Sequence, residues 1–124
     1  MICAMAIAIA IVAGSCAYAH QEIETATEAA ARQVKAAAAY CEDGNTDGAL
    51  SAIRNAGDIW KEHEFRLQLL LSHAVIHEAG DMLARCECHI RFGDTDDFLA
   101  QAQALLLVLE DCRLAGHLTW GNLL

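Results

Sequence analysis

Two histidines four residues apart have the spacing in this chain that most directly permits metal chemistry. His73 and His77 would leave one face of a helix one turn apart, close enough for both rings to bind one transition-metal ion. The segment lacks the glutamate of either helical zinc-protease pattern, since Ala74 follows His73 and Ile76 precedes His77. A complete site needs more ligands, so Cys112 and one further histidine would have to join the pair. A metal- or haem-binding bundle is one hypothesis. The alternative is one histidine buried in the core and one exposed, with no chemical role.

Two cysteines and a histidine, Cys86, Cys88 and His89, form the second candidate. The covalent haem pattern has two residues between its cysteines, and only Glu87 intervenes here. Residues two apart on a helix point about 200° away from each other, so these thiols share no face and no haem is expected. A disulfide from Cys41 to Cys86 or Cys88 fits better, because their helices are predicted to end at the same end of a bundle. Free, buried thiols are the other possibility.

Acidic residues dominate the charge of the chain, with 17 Asp and Glu against 8 Lys and Arg in 124 residues. The net charge of −9 argues against a nucleic-acid-binding role, because phosphate contacts need clustered Lys and Arg. The carboxylates form no evident acid–base pair, and the acidic run at 94–97 lacks the glycine that a calcium loop needs at its sixth position. The sequence has no serine–histidine–aspartate order and no glycine-rich phosphate loop. We therefore predict no enzyme activity and no cofactor.

The first 19 residues contain no charged side chain, and every Asp, Glu, Lys and Arg follows from Glu22 onward. A helix of 18 residues spans about 27 Å, close to the thickness of a thin hydrocarbon core. The segment 1–19 is therefore predicted to be a single-span signal anchor, with residues 2–19 in the membrane, or a signal peptide cleaved after Ala19. A lipidated Cys16 and a buried alanine-rich core helix are further alternatives. Because acidic residues follow directly, residues 20–124 are predicted to lie outside the cytoplasm, or to be secreted after cleavage.

The remaining chain predicts helices, because proline is absent and only 6 % of the residues are aromatic. A helix over 20–41 carries an apolar stripe at Ile23, Ala30, Val34, Ala37 and Cys41. Turn-forming residues follow at 42–48, where Thr46 is the predicted cap of the next helix. The apolar pattern changes phase within 61–65, which predicts two segments, 47–62 and 65–91. The second segment would have Leu69 and His73 on its buried stripe.

Gly93 is predicted to end that segment in a second turn at 92–97. The last helix is predicted to end at Gly116. Its apolar stripe comprises Phe98, Leu99, Ala102, Leu105, Leu106, Leu109 and Cys112. Short connections make neighbouring helices antiparallel. The predicted fold is therefore all-α, with an N-terminal apolar signal or anchor helix followed by an up-and-down antiparallel bundle of three to four helices.

Several residues in 45–124 follow one another in the order of a known family. Trp60 precedes Ser72-His73, a helix closes at Phe92-Gly93-Asp94, and a leucine-rich helix leads to Asn122-Leu123-Leu124. With the apolar N-terminal segment, this order resembles a family of short, single-span membrane-anchored helical proteins from spore-forming Gram-positive anaerobes, described as a domain of unknown function. The resemblance implies that Trp60, His73 and Asn122 are family-pattern positions, and it implies no reaction. The cysteines and the uncharged N-terminus depart from the pattern.

The sequence suggests two main functions and a third, weaker one. The first is a non-catalytic structural or protein-interaction role in the cell envelope, with a protein partner or self-association. The second is metal or haem binding inside the bundle through His73 and His77. The third is a ligand-sensing bundle, which would need a separate signalling partner.

Overall fold

Four α-helices account for all the regular secondary structure in the described part of the chain. The computed structural model describes the backbone of residues 1–123 and the side chains of residues 1–115. The helices are α1 (Ile2–Glu42), α2 (Thr46–Gln68), α3 (His73–Arg91) and α4 (Thr95–Leu123). The predicted all-α class is confirmed.

The helix α1 is continuous for 41 residues, a length of about 62 Å, and its two halves have different surroundings. Residues 2–15 are exposed all round, whereas the second half buries a stripe with three- and four-residue spacing. The buried residues of this stripe are Ile23, Ala26, Thr27, Ala30, Val34 and Ala37. The predicted stripe is therefore confirmed, with Cys41 half-buried at its end. By length and composition, α1 is the one helix among the described residues that could cross a membrane.

Two of the three turns depend on a glycine in the left-handed region. Gly44 and Gly93 each have φ of +75°, a conformation that costs other residues a steric clash. Gly93 lies just past the end of α3, as predicted. The predicted cap at Thr46 is wrong by one residue, because the side chain of Asn45 accepts the hydrogen bond from the Gly48 backbone N–H at 2.9 Å.

The predicted break within 61–65 is wrong, since α2 continues to Gln68 and the turn lies at residues 69–72. The side chain of Ser72 caps α3 by accepting from the Val75 N–H at 3.3 Å. The apolar pattern is interrupted within 61–65 because a polar residue, His63, occupies the inner side of α2. Its ring makes a half-buried contact with Glu22 of α1. Because α3 begins only after this turn, Leu69 and His73 are exposed and are not on the buried stripe.

Each helix packs against its neighbours in sequence, and α1 also packs against α4. The helices α1 and α3 share at most a marginal contact, so they lie across the bundle from each other. The largest buried side chains in the shared core are Trp60 and Phe98. The predicted stripe of α4 is largely confirmed, with Leu99 and Leu106 half-buried and the other members buried. The predicted end at Gly116 is wrong, because the α4 backbone continues to Leu123 and one glycine costs a helix only about 1 kcal/mol.

Candidate functional site

The strongest polar cluster lies where α1 emerges from the bundle, and we call this the proximal end. It comprises Glu22 of α1 with His63 and Arg66 of α2. His63 Nδ1 lies 2.7 Å from Glu22 Oε1, and Arg66 Nε lies 2.9 Å from the same oxygen. Because the carboxylate can only accept, His63 Nδ1 donates to it, and the 3.2 Å approach of Arg66 Nη2 to that nitrogen is a close contact rather than a second bond.

We call Glu22, His63 and Arg66 the proximal cluster, and two of its members are largely sheltered from water. The side chains of Glu22 and His63 are 12 % and 15 % exposed, while Arg66 is 43 % exposed. Charge-assisted hydrogen bonds are stronger than neutral ones, and a carboxylate this sheltered would be costly without its partners. The cluster therefore fixes the position of the last turns of α2 on α1, directly after the uncharged segment. The sequence did not reveal it, because Glu22 and His63 are 41 residues apart.

A second ionic cluster joins α1 to α4 at the same end. His20 Nε2 and Arg113 Nη1 lie 3.0 and 3.9 Å from the carboxylate of Glu24, and Arg113 also binds Glu110 through two hydrogen bonds of 2.6 and 3.0 Å. The bonds to Glu110 raise the pKa of Arg113 above its ordinary value. The first two charged residues after the apolar segment, Glu22 and Glu24, thus attach α1 to α2 and to α4.

The two predicted metal ligands lie near the same end but do not form a complete site. His73 and His77 are both exposed, and their rings stack at 6.0 Å between centroids. The expectation that one of them is buried is wrong, because α3 turns this face to solvent. Among the described side chains, no third ligand gathers with them. Cys112 is buried in the core, where burial raises the pKa of its thiol to about 11 and so keeps the metal-binding thiolate rare.

A different group of metal-type ligands occurs at the opposite end, where α3 meets α4. Single ligand atoms of His89, Asp94 and Asp97 lie within 4.8 Å of one another. This group was not predicted from the sequence, because 94–97 was compared only with a calcium loop and His89 only with a haem pattern, and neither pattern fits. The Gly93 turn brings them together. The backbone carbonyl of Asp94 accepts from the Phe98 N–H at 2.9 Å, and Asp97 stands in the first turn of α4, where the positive end of a helix stabilises carboxylates. These acidic residues are thus accounted for by the helix start.

All six cysteines are free thiols in the structure. Cys86 is buried and Cys88 is exposed, as expected for residues that share no helix face. Burial raises the pKa of the Cys86 thiol to about 12. Cys41 is half-buried on α1, across the bundle from α3, so a bond to Cys86 or Cys88 would have to cross the core. The disulfide stays a prediction.

A shallow groove of about 430 Å³ runs between α2 and α3. Trp60 forms its floor, and its indole N–H donates to the Ile76 carbonyl at 3.2 Å. The Arg54–Glu87 ion pair, 2.7 Å between Nε and Oε1, lies along its rim. Trp60 therefore packs the core, as an anchor between two helices. Of the other family-pattern positions, His73 is exposed and Asn122 lies outside the described side chains.

Comparison of the chain with protein-family models, with curated proteins and with solved structures finds no match. The resemblance to the membrane-anchored family of unknown function therefore stays a prediction.

Proposed function

We propose that the chain is a non-catalytic envelope protein, in which residues 2–19 anchor an up-and-down helical bundle in a membrane. The bundle, residues 20–124, would lie outside the cytoplasm and serve a structural or protein-interaction role. One observation carries the proposal. The uncharged half of α1 extends beyond the helices that pack on its other half, with its isoleucines and methionines exposed.

Exposed apolar surface of this extent calls for a partner, and lipid is the one that suits a single helix. The large side chains of 2–12 point in every direction around α1, as those of a helix surrounded by lipid do. Backbone hydrogen bonds are satisfied within the helix, which hydrocarbon requires. Because α1 has no break at the end of the uncharged segment, the same rigid rod would cross the membrane and form one wall of the bundle.

Pairings between the helices support the up-and-down antiparallel arrangement. The contacts Trp60–Ile76 and Arg54–Glu87 place earlier residues of α2 beside later residues of α3. The three connections contain only three or four residues, which leaves no room for a crossover.

The charges that flank the apolar segment indicate the direction of insertion. No Lys or Arg lies between the apolar segment and Arg32, while Glu22, Glu24 and Glu28 follow the apolar segment at once. Cytoplasmic flanks carry an excess of Lys and Arg, so this flank fits the outer side. Cleavage after Ala19 is the alternative, and it would release the same bundle as a secreted protein.

Alkaline extraction of membranes combined with protease treatment of intact cells tests the proposal. We expect the chain to resist extraction, and its bundle to be digested from outside. A monomeric chain that is fully soluble in the cytoplasm would overturn the proposal.

Metal or haem binding through His73 and His77 is the second candidate. The observation in its favour is the stacking of their rings on one exposed face of α3. Two ligands hold a metal only if a further group joins them, from a partner or from the part of the chain beyond the described side chains. Elemental analysis and an absorption spectrum of purified protein test this function. No bound metal and no Soret band would remove it, and the His73→Ala variant should lose any metal that is found.

A further inference from the structure

We infer that the segment from Phe65 to Leu71, which we call the proximal turn, is a second membrane contact. It would enter the interface of the same bilayer that α1 crosses. This inference rests on the proposed anchoring and adds to it a defined surface of the bundle. The bundle would then be held at two points, the anchor helix and the turn beside it.

The position of the proximal turn along α1 supports this membrane contact. The 2.7 Å contact between His63 and Glu22 places these two residues side by side. The helix α2 continues from there to Gln68, about 7.5 Å further at 1.5 Å per residue. Because this continuation runs toward the N-terminus of α1, the turn reaches the level of about residue 17. That level is inside the uncharged segment 1–19.

Burial along α1 supports the same overlap independently. Residues 1–15 are all exposed, whereas Cys16 and Ala19 are half-buried. Other parts of the bundle therefore cover α1 before its charged residues begin. A membrane that accommodates the uncharged segment up to Ala19 would meet the end of the bundle at this point.

The surface that the turn presents is mainly apolar and is uncharged over 67–71. Phe65 is 73 % exposed and Leu69 is 74 % exposed, with the half-buried Leu70 and Leu71 beside them. Residues 67–77 contain no Asp, Glu, Lys or Arg. Large apolar side chains at the tip of a turn are unfavourable in water, and the bilayer interface accepts them.

The backbone of the turn is also suited to an interface. The N–H groups of Leu69, Leu70 and Leu71 donate to the carbonyls of Arg66 and Leu67 at 2.8 to 3.2 Å. Partial desolvation of this turn would therefore leave none of these three donors without an acceptor.

Two side chains beside this surface, Arg66 and Tyr18, also fit a membrane contact. Arg66 binds the sheltered Glu22 and remains 43 % exposed, so its guanidinium would lie near the headgroups, where long cationic side chains are favoured. Tyr18 is exposed at the end of the uncharged segment, where aromatic side chains favour the membrane interface. Phe92 is equally exposed at the opposite end, but it lies between Arg91 and the acidic residues of 94–97.

Photo-crosslinking to lipid tests the inference on the full chain. Single residues are replaced by p-benzoylphenylalanine at Ile9, Leu69 or Phe92, and each chain is reconstituted in vesicles of phosphatidylcholine with a minor fraction of phosphatidylglycerol. Phe92 is the matched control, since it is 77 % exposed against 74 % for Leu69. A second label at Phe65 repeats the test in the same turn. The readout is the mass of lipid-adducted protein after irradiation.

We expect lipid adducts at Ile9, Leu69 and Phe65, and none above background at Phe92. An adduct at Ile9 without one at Leu69 or Phe65 would overturn the inference and leave the anchor standing. Adducts of equal yield at Leu69 and Phe92 would also overturn it, because the contact would then be unspecific. An absence of adducts at all positions would overturn both the anchor and the turn contact. Adducts in the turn alone would support the turn contact and overturn the span.

Discussion

A single lysine in the middle of the uncharged segment should abolish membrane insertion. Ile9 is 65 % exposed and belongs to none of the buried residues of the described core, so Ile9→Lys leaves that core unchanged. At the centre of a span an isoleucine contributes about −0.3 to −0.6 kcal/mol and a lysine costs about 2.5 to 3.5 kcal/mol. The substitution therefore disfavours insertion by about 3 to 4 kcal/mol, which corresponds to roughly two to three orders of magnitude in partition.

That penalty is decisive because the apolar side chains of the segment contribute only a small favourable free energy of insertion. Its large β-branched residues are Ile2, Ile7, Ile9, Ile11 and Val12. Together they supply only about −1.5 to −3 kcal/mol, so one lysine cancels them.

The assay is the membrane-integrated fraction after alkaline extraction, with the helix content of each variant followed by circular dichroism. The matched control is Leu107→Lys, because Leu107 is 68 % exposed on α4. We expect the Leu107→Lys chain to stay in the membrane and the Ile9→Lys chain to leave it. Retention of both variants at the wild-type level would refute the account of α1.

Three further predictions concern the bundle itself. Trp60→Ala should lower the free energy of unfolding by about 3 to 5 kcal/mol in urea denaturation, because it empties the core between α2 and α3; a loss below about 1 kcal/mol would contradict that packing. Glu22→Gln should lower the free energy of unfolding by about 1 to 3 kcal/mol, because it removes the negative charge that binds His63 and Arg66 in a sheltered place. Glu87→Gln, in the more exposed pair with Arg54, should lower it by less than about 1 kcal/mol. Equal losses for the two variants would contradict the stabilising role of the proximal cluster. Burial raises the pKa of the Cys86 thiol from 9.0 to about 12, so between these two pH values the folded chain keeps a proton that the unfolded chain releases. The contribution of the protonated thiol to the free energy of unfolding is therefore full below pH 9 and is lost as the pH rises toward 12. Urea denaturation across that range should show a smaller loss for Cys86→Ala than for the wild type, with Cys88→Ala unchanged; identical pH dependence of all three would refute the burial argument.

The parts of the fold that the sequence predicted are those governed by local patterns. The stripe of α1 follows from the spacing of its apolar residues, and the turn at Gly93 follows from the need for a left-handed residue. The turn at 69–72 contains no glycine or other residue typical of turns apart from Ser72. It is made of leucines, and Ser72 is recognisable as a cap only when the end of α2 is known.

The polar sites were harder to predict, since they depend on residues that meet only in the folded chain. His63 belongs to α2 and its partner Glu22 to α1, and no short pattern connects them. The residues with a recognisable spacing, His73 and His77, lie on an exposed face instead. Spacing along a helix shows which side chains share a face, and the packing of the neighbouring helices decides whether that face is buried.

The mass of the intact chain in fractionated cells tests the central claim, that one helix both anchors and builds the bundle. We predict a chain in the alkali-resistant membrane fraction whose mass includes residues 1–19. A chain of the same mass in the soluble fraction, or a chain outside the cell whose mass begins at His20, would contradict the claim.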